Sequence, residues 1–95
     1  MIWKNRGNFS WKSVKGPVQA GNYEGLGVVD LDQDGFVDIV AANATSDSRG
    51  GIQIWFGDGN GNWQGKSGPT IKGKYMNIAH GDVNKDGSVD LIGAG

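Results

Sequence analysis

The chain repeats itself. Sliding it by 52 positions aligns Val18 to Asn43 with Thr70 to Gly95 without a gap, and Gly21/Gly73, Tyr23/Tyr75, Asp30/Asp82, Asp34/Asp86, Gly35/Gly87, Val37/Val89, Asp38/Asp90 and Ala42/Ala94 become identical pairs. Pro17/Pro69 and Ile2-Trp3/Ile54-Trp55 fall in the same register. The stretch Ile54 to Trp63 resembles Ile2 to Phe9 with two residues removed from the turn, a length change that a hairpin tolerates. A fixed period of this size is the mark of a repeat architecture, in which each unit buries its apolar face only against its neighbours.

Each period holds four strand candidates, around Gly25 to Val29, Val37 to Ala42, Gly51 to Phe56 and Trp63 to Thr70. Val, Ile, Trp and Tyr are interrupted by Gly/Asn/Asp clusters, and the 18 glycines against two prolines favour short strands and tight turns. Asp58-Gly59-Asn60-Gly61 supplies residues that accept positive φ between the third and fourth strands. The expected fold is all-β, with β-propeller blades of four antiparallel strands and two blade equivalents per chain.

The chain is out of phase with its blades. Residues 1–18 read as third and fourth strands, 19–70 as a full blade, and 71–95 as the first and second strands of the next. Two periods would need 104 residues, nine more than the chain has, which matches the size of the second-to-third connection Asn43 to Gly51. A ring takes about four to eight blades, so the expected partner is the chain itself. Each C-terminal half-blade would be completed by the next copy's N-terminal strands, giving a cyclic homo-oligomer of three or four chains. The alternative is a fragment whose other blades lie in a longer parent.

Seven of the ten acidic residues fall in two windows. Asp30-Leu31-Asp32-Gln33-Asp34-Gly35-Phe36-Val37-Asp38 places carboxylates at positions 1, 3, 5 and 9, with glycine at 6 where a loop turns around an ion. Asp82-Val83-Asn84-Lys85-Asp86-Gly87-Ser88-Val89-Asp90 repeats it, with the neutral Asn84 in place of a carboxylate and an added Lys85. Oxygen ligands without Cys or His suit a hard cation, so each loop is expected to bind one Ca²⁺. The ligands are Asp30, Asp32, Asp34, the Phe36 carbonyl and Asp38, then Asp82, Asn84, Asp86, the Ser88 carbonyl and Asp90. The second loop should bind more weakly by charge count. An EF-hand or dockerin-type loop opens in the same way but needs an acid at position 12 and a following helix; here position 12 is Ala41 or Gly93, and a β pattern follows.

Other functions find less support. The net charge of -1 would rise to about +3 with two divalent ions bound, too weak and dispersed to point to nucleic acid. The chain lacks cysteine and any apolar run long enough for a bilayer, and it shows no signal-peptide core after Met1; it is expected to be soluble, without membrane insertion. His80 is the sole histidine, which removes most Ser/His/Asp and Cys/His machinery, and the even carboxylate spacing favours a cation over glycosidase chemistry. The expectation is a non-enzymatic module. Trp3, Trp55, Tyr23 and Tyr75 recur in register and read as core between blades. Trp11 and Trp63 flank turns and are the candidates to face a glycan or protein ligand, which makes a carbohydrate-binding lectin the runner-up. Asn8-Phe9-Ser10 and Asn43-Ala44-Thr45 match the glycosylation sequon.

The pattern resembles FG-GAP or VCBS repeats, as found in integrin α-subunit heads, fungal lectins and large bacterial surface proteins. The resemblance rests on Val28 to Val40, its partner His80 to Ile92, and the Trp55-Phe56-Gly57-Asp58-Gly59-Asn60-Gly61 tail. It implies a propeller with one calcium between the first two strands of each blade, a role in adhesion or ligand display, and a secreted or cell-surface setting. The two-blade length and the permuted start depart from the family pattern.

Overall fold

A computed structural model describes residues 1–17, 21–45 and 50–95. The boundary between residues 18 and 19, and Ser46 to Arg49 in the second-to-third connection, lie outside the described residues. Eight strands and no helix occur among those described: β1 (Ile2–Asn5), β2 (Trp11–Val14), β3 (Tyr23–Val29), β4 (Asp38–Asn43), β5 (Gly51–Gly57), β6 (Trp63–Ser67), β7 (Asn77–Gly81) and β8 (Asp90–Ala94). They form a two-stranded sheet β1-β2, a four-stranded antiparallel sheet β3-β4-β5-β6 and a two-stranded sheet β7-β8. The four-stranded meander has the strand arrangement expected of a complete blade, and a two-stranded hairpin precedes it and another follows it in sequence.

Pairing follows the sequence period. Gly25↔Ala42 through Val29↔Asp38 in β3–β4 correspond, 52 residues on, to Asn77↔Ala94 through Gly81↔Asp90 in β7–β8. The outer hairpins correspond as well: Ile54↔Lys66 through Gly57↔Trp63 match Ile2↔Val14 through Asn5↔Trp11. This corrects the expected two-residue deletion. The two turns have equal length and the same closing bond, Arg6 N–H to Ser10 O at 2.8 Å and Asp58 N–H to Asn62 O at 3.3 Å. Trp11, not Phe9, is the residue in register with Trp63.

Burial varies across the blade. β4 is buried along nearly its whole length and β5 nearly so, β3 alternates, and β6 is largely exposed. A strand covered on both faces has no need to alternate, which is why Ile39-Val40-Ala41-Ala42 reads as a continuous apolar run. The core groups Val40, Ala42, Ile52 and Ile54 with Ile78 of β7, backed by Leu31, Phe56, Tyr75 and Leu91. Close approach of β7 depends on glycine: a Cβ on Gly25 would lie 3.0 Å from the Asn77 Cα. Tyr23 meets Trp55 edge-on with ring centroids 5.5 Å apart, a favourable quadrupolar arrangement.

Of the tryptophans expected in the core, Trp55 is buried, whereas Trp3, at the equivalent place in the repeat, is exposed within the single chain. Trp55 has β4 beside it, and among the described residues Trp3 has no second strand on its open side.

Candidate metal centre

Each acidic loop is the connection from a blade's first strand to its second, β3 to β4 and β7 to β8. The carboxylates organise the loops by accepting backbone N–H groups. Asp30 Oδ1 and Oδ2 accept from Asp34 and Gly35 at 3.2 and 2.8 Å; Asp82 accepts likewise from Asp86 and Gly87 at 3.1 and 2.8 Å. The side chains of Asp34 and Asp86 each receive the N–H two residues on, Phe36 and Ser88, at 2.9 Å. Asp38 Oδ2 holds Leu31 N–H at 2.8 Å, and Asp90 Oδ2 holds Val83 N–H at 2.9 Å. Backbone torsions repeat too: Gln33 and Lys85 have φ of 60° and 61°, and Gly35 and Gly87 have φ of 93° and 89°. Glycine at position 6 accommodates that left-handed turn without a Cβ clash.

Carboxylate oxygens of Asp30, Asp32 and Asp38 lie within 4.8 Å of one another, as do those of Asp82, Asp86 and Asp90. Asp34 stands outside the first triplet, and Asn84 takes the Asp32 position in the second loop. The clusters consist wholly of oxygen. Desolvation, joined by the charges of Asp38 and Asp34, pushes the Asp32 carboxyl up, the behaviour of anions crowded without compensation. At Asp30 partial desolvation acts upward, but hydrogen bonds from Gly35 and Asp34 outweigh it and hold the carboxyl down. At Asp82 the Gly87 N–H leads in lowering it. Three carboxylates brought together in each loop, with oxygen as the sole donor type, fit a doubly charged, oxygen-seeking ion.

The loops differ in one connection. Asp38 is fully buried, and its Oδ1 accepts Gly57 N–H at 3.0 Å, tying the first loop to β5 of the same blade. The loops also meet each other, since Gln33 Nε2 donates to the Gly87 carbonyl at 2.6 Å. Sequence reasoning missed both contacts. An aspartate leading directly into the apolar β4 run was the available hint for Asp38, whereas nothing in the sequence marks the Gln33 reach.

Trp63 is half-buried, and its indole Nε1 is buried without a partner among the described residues. It borders an open cleft of about 800 Å³ between the first loop and the β5–β6 turn, with Asp32, Phe36, Phe56, Asn62 and Lys66 around it. Asp58 shapes that turn, its carboxyl held low by the Asn62 side chain first and then by the Asn60 N–H. Trp11 is exposed on β2. His80 sits on β7, and its imidazole edge would meet a Cβ on Gly27 at 3.0 Å; it lies outside both carboxylate clusters. Of the two sequons, Asn43 is buried in β4 with its Oδ1 accepting Thr45 N–H, and Asn8 is on an exposed turn.

A family model described as an FG-GAP-like repeat matches residues 30–93, two thirds of the chain and both acidic loops. No curated protein and no solved structure matches the chain.

Proposed function

The chain belongs to the FG-GAP-like repeat family, and from that premise we propose that it is a calcium-binding β-propeller module. Its role is that of a structural scaffold and an adhesion or ligand-binding platform rather than an enzyme. The observation that carries this reading is the reproduction of one acidic loop in two places, hydrogen bond for hydrogen bond. Asp30, Asp32, Asp34, the Phe36 carbonyl and Asp38 would hold one Ca²⁺; Asp82, Asn84, Asp86, the Ser88 carbonyl and Asp90 would hold the other. The bound ion would neutralise crowded carboxylates and fix the first-to-second strand connection. Titration calorimetry is expected to give two Ca²⁺ per chain, the second several-fold weaker because Asn84 and Lys85 reduce its negative charge. Asp34→Ala should remove the tighter step and Asp86→Ala the weaker. No uptake at millimolar Ca²⁺ rejects the proposal.

A second reading, glycan recognition, draws on the cleft beside Trp63, where three aromatic side chains face a polar rim. Apolar ring faces bounded by a few hydrogen-bonding groups suit a sugar. Glycan-array signal that is present in the parent protein and lost in Trp63→Ala would support it; an unchanged array would remove it.

A further inference from the structure

We infer that the open edge of β8 is a docking site for the β1–β2 hairpin of a second copy of this chain, in one defined register. The inference goes beyond calcium binding and does not depend on it. β4 pairs with β5 in the complete blade as Ile39↔Trp55, Val40↔Ile54 and Ala41↔Gln53. The 52-residue equivalence turns this into Leu91↔Trp3, Ile92↔Ile2 and Gly93↔Met1 between copies. Within the chain β8 pairs only with β7 and β1 only with β2 among the described residues, so each presents a free ladder of N–H and C=O groups.

Equivalent positions show what is missing. Trp55 is 6% exposed and Trp3 63%; Val40 is 0% and Ile92 51%; Ile78 is 8% and Leu26 68%. Each pair shares a position in the repeat, and in each the buried member has a neighbour that the exposed member lacks. One object covers all three exposed residues: a partner's β7–β8 seated beside β1 would pair with that strand, shield Trp3 and Ile92 at the new junction, and lie against Leu26 as the complete blade lies against Ile78. Tyr75, equivalent to Tyr23, would then meet the partner's Trp3 in the edge-on arrangement that Tyr23 makes with Trp55.

The acidic loop is completed by the same contact. Asp38 Oδ1 accepts from Gly57 N–H, and Gly57 corresponds to Asn5 at the end of β1. Among the described residues no N–H takes that place at Asp90, whose Oδ2 alone is engaged, by Val83. In the assembled protein the partner's Asn5 N–H would occupy it. The contact is head-to-tail, and copies joined in this way close into a ring when their rotation allows.

The test uses the 95-residue protein. Its mass at low micromolar concentration is expected to be about 30 or 40 kDa, three or four times the 10.0 kDa chain, giving the six or eight blades a ring can hold. Register is read by disulfide capture in this cysteine-free chain. Ile2→Cys and Ile92→Cys chains, refolded together, should cross-link to a dimer of about 20 kDa, because directly opposed Cα atoms are about 4.5–5.5 Å apart. Ile2→Cys with Leu91→Cys should not, a one-residue slip placing the thiols on opposite faces. A folded 10 kDa species, as a flanking repeat in a longer chain would predict, or capture in the slipped pair, overturns the inference. Calcium uptake by a monomer would sink this inference and leave the proposed function standing; an assembly that takes up no calcium would do the reverse.

Discussion

Moving the protein from millimolar Ca²⁺ into EDTA is expected to lower its melting temperature by about 20–40 °C. A ligand at a hundred times its Kd stabilises the folded state by about 2.7 kcal/mol, and two sites give about 5 kcal/mol. In a domain of this size each kcal/mol moves Tm by about 4–8 °C. A pH series separates the ion's contribution from that of protons. Asp30 and Asp82 have folded pKa values below their ordinary one, so the stability they bring is present above pH ~4 and lost as pH falls through their folded values. Asp32 is raised, so its contribution is present below pH ~4 and lost as pH rises through its folded value. In EDTA, acidification toward pH ~4 should therefore first raise Tm as Asp32 takes up its proton, and acidification below pH ~4 should lower it as Asp30 and Asp82 are protonated. In Ca²⁺ the first limb should invert, because protons and the ion compete for the same oxygens. Differential scanning calorimetry reads both. Coincident melting curves with and without chelator would show that the ion is no part of the fold.

The blade and both acidic loops were legible because they follow from local chemistry. Alternating apolar residues, an Asp-Gly turn and a fixed period are readable one residue at a time, and they located all eight strands. Two kinds of information were not. Trp3 and Trp55 occupy one place in the repeat, and nothing within Ile-Trp says which has a strand beside it; burial is a property of neighbours. The hairpin turn was misread because aromatic identity outweighed spacing, although Arg6 and Asp58 close their turns alike. Asp38 was recognised as an oxygen donor but not as the anchor of Gly57, since a contact 19 residues away along the chain exists only once β5 has paired with β4.

That anchor gives the largest single-residue effect. Asp38→Ala is expected to cost about 3–5 kcal/mol, because it strips partners from Leu31 and Gly57 N–H groups and each unsatisfied buried donor costs about 1–3 kcal/mol. This is a large share of the total for a small domain, about 5–15 kcal/mol. Asp38→Asn should cost less, as its amide oxygen still accepts one of the two. Urea denaturation in EDTA removes any contribution from lost ion binding, and at concentrations dilute enough for separate chains Asp90→Ala should cost under about 1 kcal/mol, with only the exposed Val83 N–H released. Equal losses for the two alanine variants under those conditions would refute Asp38 as an anchor. Raising the protein concentration should then move Asp90→Ala toward Asp38→Ala and leave Asp38→Ala where it was, because assembly supplies Asp90 with the Asn5 N–H of its neighbour and so turns a surface carboxylate into a second anchor.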